Sequence, residues 1–276
     1  VLGYDASTLG NHEFNYGLDF LMKSLAGANF PVVSANVVKG ALTAGPRTDA
    51  LFVKPYVIVE KMVTDGAGKT APIKVGLIGV CPPQIMNWDK RHLEGSANAR
   101  DILEVAKAFV PEMKEAGADI IVALSHSGIS TEAEADGMEN ASLYLAGIEG
   151  IDAIVTGHHH RVFPGDGYEA ADGLDPAAGT LMGKPAAMGG FWGSHLGVID
   201  LMLERDGGAW RIAGSASETR SIYSRDGRAY VPEVEDYQPV LASVQKTHDE
   251  TLAYVRRAVG ETSAPLHSYF ALVADD

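Results

Sequence analysis

The chain has 276 residues, 46% of them hydrophobic and 21% charged, the make-up of a globular protein with enough chain to bury a core. Its net charge of −14 argues against broad binding to nucleic acid or anionic membranes, though not against a small phosphate compound whose local field is set by metal ions. No apolar run approaches the roughly 20 residues of a membrane-spanning helix, and the single cysteine, Cys81, leaves no internal disulfide while keeping the compartment open.

Taken in chain order, Ser7-Thr8-Leu9-Gly10 reads as a short strand entering a turn. Leu18, Leu21, Met22 and Leu25 recur at helical spacing, and Gly27 closes that helix. Phe30–Val38 predicts a strand, followed by a loop to Asp49. Leu51–Met62 and Pro72–Val80 predict two more strands, with Asp65-Gly66-Ala67-Gly68 as their hairpin turn. Asp101 suits the N-cap of a helix that turns Ile102, Val105, Phe109 and Met113 inward, stops at Gly117 and is kinked by Pro111. Asp119–Leu124 and Ile151–Thr156 predict buried strands on either side of a helix over Asn140–Glu149. Pro185–Met188, His195–Glu204 and Trp210–Thr219 follow as strands, and a helix is predicted from about Asp236 to Val259. Helices alternate with strands early and strands cluster later, which implies a layered α/β architecture with mixed sheets. The chain opens on Val1, without a basic or apolar leader, and reaches a dense motif by Gly10. This reads as truncation, and the far end stops as abruptly.

Three loops that follow predicted strands carry metal-ligand residue types. They are Gly10-Asn11-His12-Glu13, then Ser125-His126-Ser127-Gly128, then Gly157-His158-His159-His160. Sites in open α/β sheets gather beyond the carboxyl ends of strands, and the glycines let backbone approach a ligand. Imidazole nitrogens with amide or carboxylate oxygens, and no thiolate, suit Mn, Zn, Fe or Co. Each group has a plainer reading. His126 alone would be a hydrogen-bonded surface residue, the histidine run an incidental tract, Asn11 a turn residue and Glu13 a helix-start residue. Their shared placement just past strand ends favours a hydrolytic metal centre. Cys81 reads as a small buried hydrophobe, and Tyr223, Tyr237 and Tyr254 as packing residues.

The Gly10-Asn11-His12-Glu13 motif, His126 and Gly157-His158-x-His160 resemble those of the calcineurin-like metallophosphoesterases. The longer run Thr8–Leu18 is similar to the 5′-nucleotidase-related branch. The runs Val80–Lys90, Val162–Gly165, Phe191–Val198 and Tyr269–Asp276 resemble the 2′,3′-cyclic-nucleotide 2′-phosphodiesterase/3′-nucleotidase subgroup. The resemblance implies an α/β/β/α layered metallophosphoesterase domain over residues 1–260, missing its first strands. Residues 261–276 would then be a linker toward an absent C-terminal nucleotide-binding domain. It also implies two divalent metal ions in the intact protein (Mn, Zn, Co or Fe). Asn11, His126 and His158 would ligate one and His160 the other, with His12 catalytic and Asn15 orienting it where the wider family often has Asp. His159 would not be a ligand.

The family's Asp-x-His and Gly-Asp elements do not precede Gly10, and Asp5 reads as structural. The chain alone is therefore expected to bind metal weakly and to be inactive, while the complete protein would hydrolyse 2′,3′-cyclic nucleotides and 3′-nucleotides in the periplasm or at the cell surface. The alternatives are a 5′-nucleotidase or UDP-sugar hydrolase of the same superfamily, or a non-catalytic metal-binding module. No base-binding residue, oligomeric state or nucleic-acid partner is implied.

Overall fold

The structure, a computed structural model, describes residues 2–265, so the Tyr269–Asp276 run and most of the expected 261–276 linker lie outside the described residues. The chain divides into two compact units, the larger spanning Tyr4–Glu233. In chain order the larger unit contains β1 (Ser7–Thr8), α1 (Leu18–Leu25), β2 (Val32–Val33), β3 (Val37–Lys39), β4 (Tyr56–Thr64) and β5 (Thr70–Val80). Next come α2 (Ile85–Trp88), α3 (Lys90–Leu93), β6 (Ala97–Ala99), α4 (Ile102–Glu115), β7 (Ile120–Ser125), α5 (Ser142–Ala146) and β8 (Ala153–Thr156). It closes with β9 (Val162–Phe163), β10 (Leu174–Asp175), β11 (Thr180–Leu181), β12 (Lys184–Gly189), β13 (His195–Asp206), β14 (Ala209–Ser221), β15 (Tyr223–Asp226) and β16 (Ala229–Pro232). The smaller unit carries α6 (Gln238–Val255), shorter at both ends than the helix predicted over 236–259.

An eight-stranded mixed sheet organises the larger unit in the order β10-β11-β12-β8-β7-β5-β4, with β9 paired to β12. β5, β7, β8 and β12 run parallel, and β4 is antiparallel to β5 at one edge. Parallel strands buried on their faces carry the apolar runs expected of them, as in Ile120–Leu124. The helix α4 starts where Asp101 accepts the Glu104 amide at 2.8 Å, and it runs on through Pro111 without interruption. It buries Ile102, Val105, Phe109 and Met113 in one core with Ile78, Ile121 and Ile154. The hairpin β4–β5 turns where predicted, with Asp65 Oδ1 accepting the Ala67 and Lys69 amides at 2.9 Å.

Three elements of the larger unit depart from the sequence reading. The strand predicted over 30–38 is split into β2 and β3, because the Asn36 side chain bonds Cys81 and Arg100 backbone across the fold instead of continuing a ladder. The strand predicted from Leu51 starts at Tyr56, leaving Leu51 in a single bridge to Val38. The helix predicted over 140–149 is confined to α5, which Gly147 ends. Tyr223 packs edge-on to Tyr230 at 5.0 Å, but Tyr237 and Tyr254 are exposed. The expected structural role of Asp5 is an ion pair with Lys61.

A second apolar cluster lies under the first motif. Leu9 and Phe14, which bracket Asn11 and His12, are buried with Leu21, Cys81, Ile85 and Leu93. Phe14 is fully buried, an anchor worth about 2–3 kcal/mol. It fixes the loop from both sides while its polar residues stay available.

Candidate functional site

The three motif loops converge at the carboxyl ends of β7 and β8. His126 follows β7 directly, and its amide donates to the Val80 carbonyl at 2.9 Å. Buried hydroxyls tie the neighbouring loops together. Ser142 Oγ lies 2.9 Å from both Ser125 Oγ and Thr156 Oγ1, and Thr156 Oγ1 donates to the Ser127 carbonyl at 2.6 Å. Ser127 Oγ in turn donates to the Glu139 carbonyl at 2.7 Å and so places Glu139 beside the histidines. Burying such groups is tolerable only because each has a partner.

Asn11 Oδ1 stands 2.9 Å from His126 Nε2 and 3.3 Å from His158 Nδ1. His158 Nε2 faces Glu139 Oε1 at 2.8 Å. A carboxylate only accepts, so His158 gives it the Nε2 proton. In the neutral ring Nδ1 and Asn11 Oδ1 then confront each other as two acceptors, an arrangement that a cation between them resolves. Two metal bonds of about 2.0–2.1 Å at angles near 90–109° separate their donor atoms by about 2.9–3.4 Å, the spacing found here. Among the described residues no three His, Cys, Asp or Glu side chains are grouped to hold a metal.

Electrostatics favour a neutral His126. Burial, with the nearby His158, His12 and His160, pulls the His126 pKa down to about 4. Burial likewise lowers that of His159, whose ring stacks near His158 at 6.3 Å and makes no contact with Asn11. Burial, reinforced by the charge of Glu13, pushes the Cys81 thiol well above its usual range, as befits a packing residue.

The backbone is strained where it presents the rings. His158 and His160 adopt φ of 68° and 56°, in the left-handed region that costs a non-glycine residue about 1–3 kcal/mol. Gly10 is required for proximity. A Cβ there would sit 2.7 Å from His126 ring atoms. Glu13, open to reading as a helix-start residue, accepts the Gly10 amide at 2.6 Å and closes the motif turn.

His160 stacks on Phe191 at 5.3 Å. His12 is exposed, and its Nδ1 meets Asn15 Oδ1 at 2.8 Å. Sequence reasoning assigned no role to three residues found here: Glu139, Trp88, which stacks on His158 at 5.6 Å and 23°, and Asp89, which bonds Asn15. Trp88 and Asp89 fall within the Val80–Lys90 run, but nothing local marks their contacts.

The fold corresponds to that of known phosphoesterases. Residues 3–162 match the calcineurin-like phosphoesterase family. The chain is 43% identical over its whole length to a 2′,3′-cyclic-nucleotide 2′-phosphodiesterase/3′-nucleotidase of Salmonella typhimurium, of which it spans 41%. It is 46% identical over its whole length to the trifunctional nucleotide phosphoesterase YfkN of Bacillus subtilis, of which it spans 18%. The crystal structure of calcineurin-like phosphoesterase YfkN from Bacillus subtilis superposes with a TM-score of 0.83 at 45% identity, covering 93% of this chain and 73% of that one. The chain therefore belongs to the calcineurin-like phosphoesterases, a family that uses divalent metal ions. It spans less than half the length of the curated relatives it matches.

Proposed function

We propose that this chain carries a metal-assisted phosphoester hydrolysis centre, acting in the full-length gene product on 2′,3′-cyclic nucleotides and 3′-nucleotides. The approach of both His126 Nε2 and His158 Nδ1 to Asn11 Oδ1 carries the reading. The names of the relatives that align along the whole chain support the substrate class. Asn11, His126 and His158 would hold one divalent cation and His160 would contribute to a second. Such cations supply positive charge to a phosphoryl oxygen and acidify water.

The protein's own residues do the rest. Glu139 holds the Nε2 proton of His158 and so keeps its Nδ1 directed at the Asn11 oxygen. His126, made neutral by burial, offers a lone pair instead of a charge. His12 stabilises charge on the phosphoryl group or protonates the departing oxygen, with Asn15 holding its far nitrogen. Asn15 thereby stands in the place of the carboxylate that often orients this histidine.

Residues 1–260 form the metallophosphoesterase part in this reading, and 261–276 lead toward a nucleotide-binding domain. The compartment is the periplasm or cell surface. No helix among the described residues is long and apolar enough to cross a membrane.

The test is hydrolysis of 2′,3′-cyclic AMP, 3′-AMP, 5′-AMP and UDP-glucose by the full-length gene product with Mn²⁺, repeated with His12→Ala. Opening of the cyclic nucleotide, lost in the variant, supports both substrate class and the role of His12. Preference for 5′-AMP or UDP-glucose would move the protein to the 5′-nucleotidase side. Metal binding without any turnover would make it a binding module.

A further inference from the structure

His12 is held from behind by two side chains in series. Its Nδ1 lies 2.8 Å from Asn15 Oδ1, and Asn15 Nδ2 donates to both oxygens of Asp89, at 3.0 and 3.1 Å. Asp89 is 74 residues away in sequence and only 5% exposed. Among the described residues its carboxylate has no other hydrogen-bond donor and no ion-pair partner. A buried carboxylate is expensive to keep, and an isosteric Asn would tie the same two segments together more cheaply. The backbone of Asp89 is well fixed. It joins α2 to α3, donates to the Ile85 carbonyl at 2.9 Å and accepts the His92 and Leu93 amides at 2.8 and 3.1 Å. Ile85 and Leu93 are fully buried on either side.

The direction of each hydrogen bond follows from what the groups can do. A carboxylate accepts and never donates, so the nitrogen end of the Asn15 amide must face Asp89. That leaves the oxygen end facing His12, where it too can only accept. The proton between them therefore sits on His12 Nδ1, and Nε2 is the nitrogen left to exchange a proton with a substrate. An amide alone would not enforce this, because it can flip and present its NH₂ group to an unprotonated Nδ1. The carboxylate makes the flip unfavourable.

We infer that Asp89 is a positioning residue that acts through Asn15 to hold His12 as its Nδ1–H tautomer, leaving Nε2 as the working nitrogen. This rests on the catalytic role proposed for His12.

The test uses the full-length gene product and three variants, Asp89→Asn, Asn15→Asp and the exchange Asn15→Asp/Asp89→Asn. Nitrogen-15 NMR of the His12 ring and steady-state kinetics on 2′,3′-cyclic AMP are the readouts, with thermal melting to confirm folding. In Asp89→Asn, residue 89 can donate as well as accept, so the Asn15 amide is no longer locked. The His12 spectrum should shift toward the Nε2–H form, and kcat should fall at least about 10-fold with KM within about twofold, as for a misassigned tautomer. Asn15→Asp sets two carboxylates face to face and should be at least as damaging. The exchange puts a carboxylate on His12 Nδ1 and an amide behind it, and should recover the Nδ1–H spectrum and most of kcat.

An unchanged His12 spectrum and kcat in Asp89→Asn would overturn the inference. A folded exchange variant no better than the single ones would do the same. Should Asp89→Asn not fold, the exchange variant decides alone, by recovering or not recovering activity. Full activity in His12→Ala would overturn the catalytic role of His12 and the inference with it, whereas an inactive His12→Ala beside a fully active Asp89→Asn would overturn the inference only.

Discussion

Replacing Gly10 by Ala puts the closeness of the motif loop to His126 to a direct test. The added Cβ would stand 2.7 Å from His126 Cε1 and Nδ1 and 2.8 Å from Nε2. The ring would have to retreat by about 0.7 Å to regain ordinary contact at 3.4 Å. It has little room, because Asn11 holds its Nε2 at 2.9 Å and the His126 amide is tied to Val80. Overpacking of this kind costs about 1–3 kcal/mol, which for a chain of this size lowers Tm by several degrees. Displacement of a group next to the reaction by most of an ångström should also reduce turnover by about 100-fold. Gly66→Ala is the control, since nothing lies within 4 Å of a Cβ in that hairpin turn. Thermal melting and hydrolysis of 2′,3′-cyclic AMP by the full-length gene product, run on both variants, provide the assay. If Gly10→Ala melts and turns over like Gly66→Ala, His126 is not seated against this glycine and the account of the loop fails.

Glu139→Gln removes the obligatory acceptor behind His158, and calorimetric titration with Mn²⁺ should show affinity lower by about 10–100-fold. Unchanged affinity would show that Glu139 does not orient the ring. Asp49, its side chain 1% exposed against Arg100, has its carboxyl pulled down from 3.8 to about 2 by the guanidinium's hydrogen bonds. The folded state therefore gains stability from this group above the ordinary carboxylate pKa and loses it as pH falls from about 4 through 2. Urea unfolding across that range should lose on the order of 1–2 kcal/mol more in the native protein than in Asp49→Asn, and parallel curves would refute the coupling. Cys81 should resist a thiol reagent until urea unfolds the chain, and rapid labelling of the folded protein would contradict its burial.

The large parallel strands and the three histidine-bearing loops were legible because both signals are local. A run such as Ile120–Leu124 is apolar throughout, and His126 follows it immediately. Asn11, His126 and His158 do meet in space, although Asn11 follows β1 of a separate two-stranded sheet while the histidines follow β7 and β8 of the large one. What stayed hidden depends on contacts between distant segments. Nothing around Phe30–Val38 shows that the Asn36 side chain will bond residues 45 and 64 positions away and break the strand. Glu139 and Asp89 look like ordinary surface acids in a run of polar residues. Only the folded chain brings one to His158 and the other behind Asn15. His160 shares the motif with His158, and with both residues in the left-handed region its ring stacks on Phe191.

The stacking of Trp88 on His158 gives the site an optical handle. Indole emission depends on what lies against the ring, and a protonated imidazole quenches it more strongly than a neutral one. The chain has three tryptophans, and Trp192 is almost fully exposed. Replacing Trp192 and Trp210 by Phe would leave the ring lying over His158 as the only indole emitter. Any event that takes up the lone pair of His158 Nδ1 thereby acquires a spectral signature, readable without a substrate and in real time.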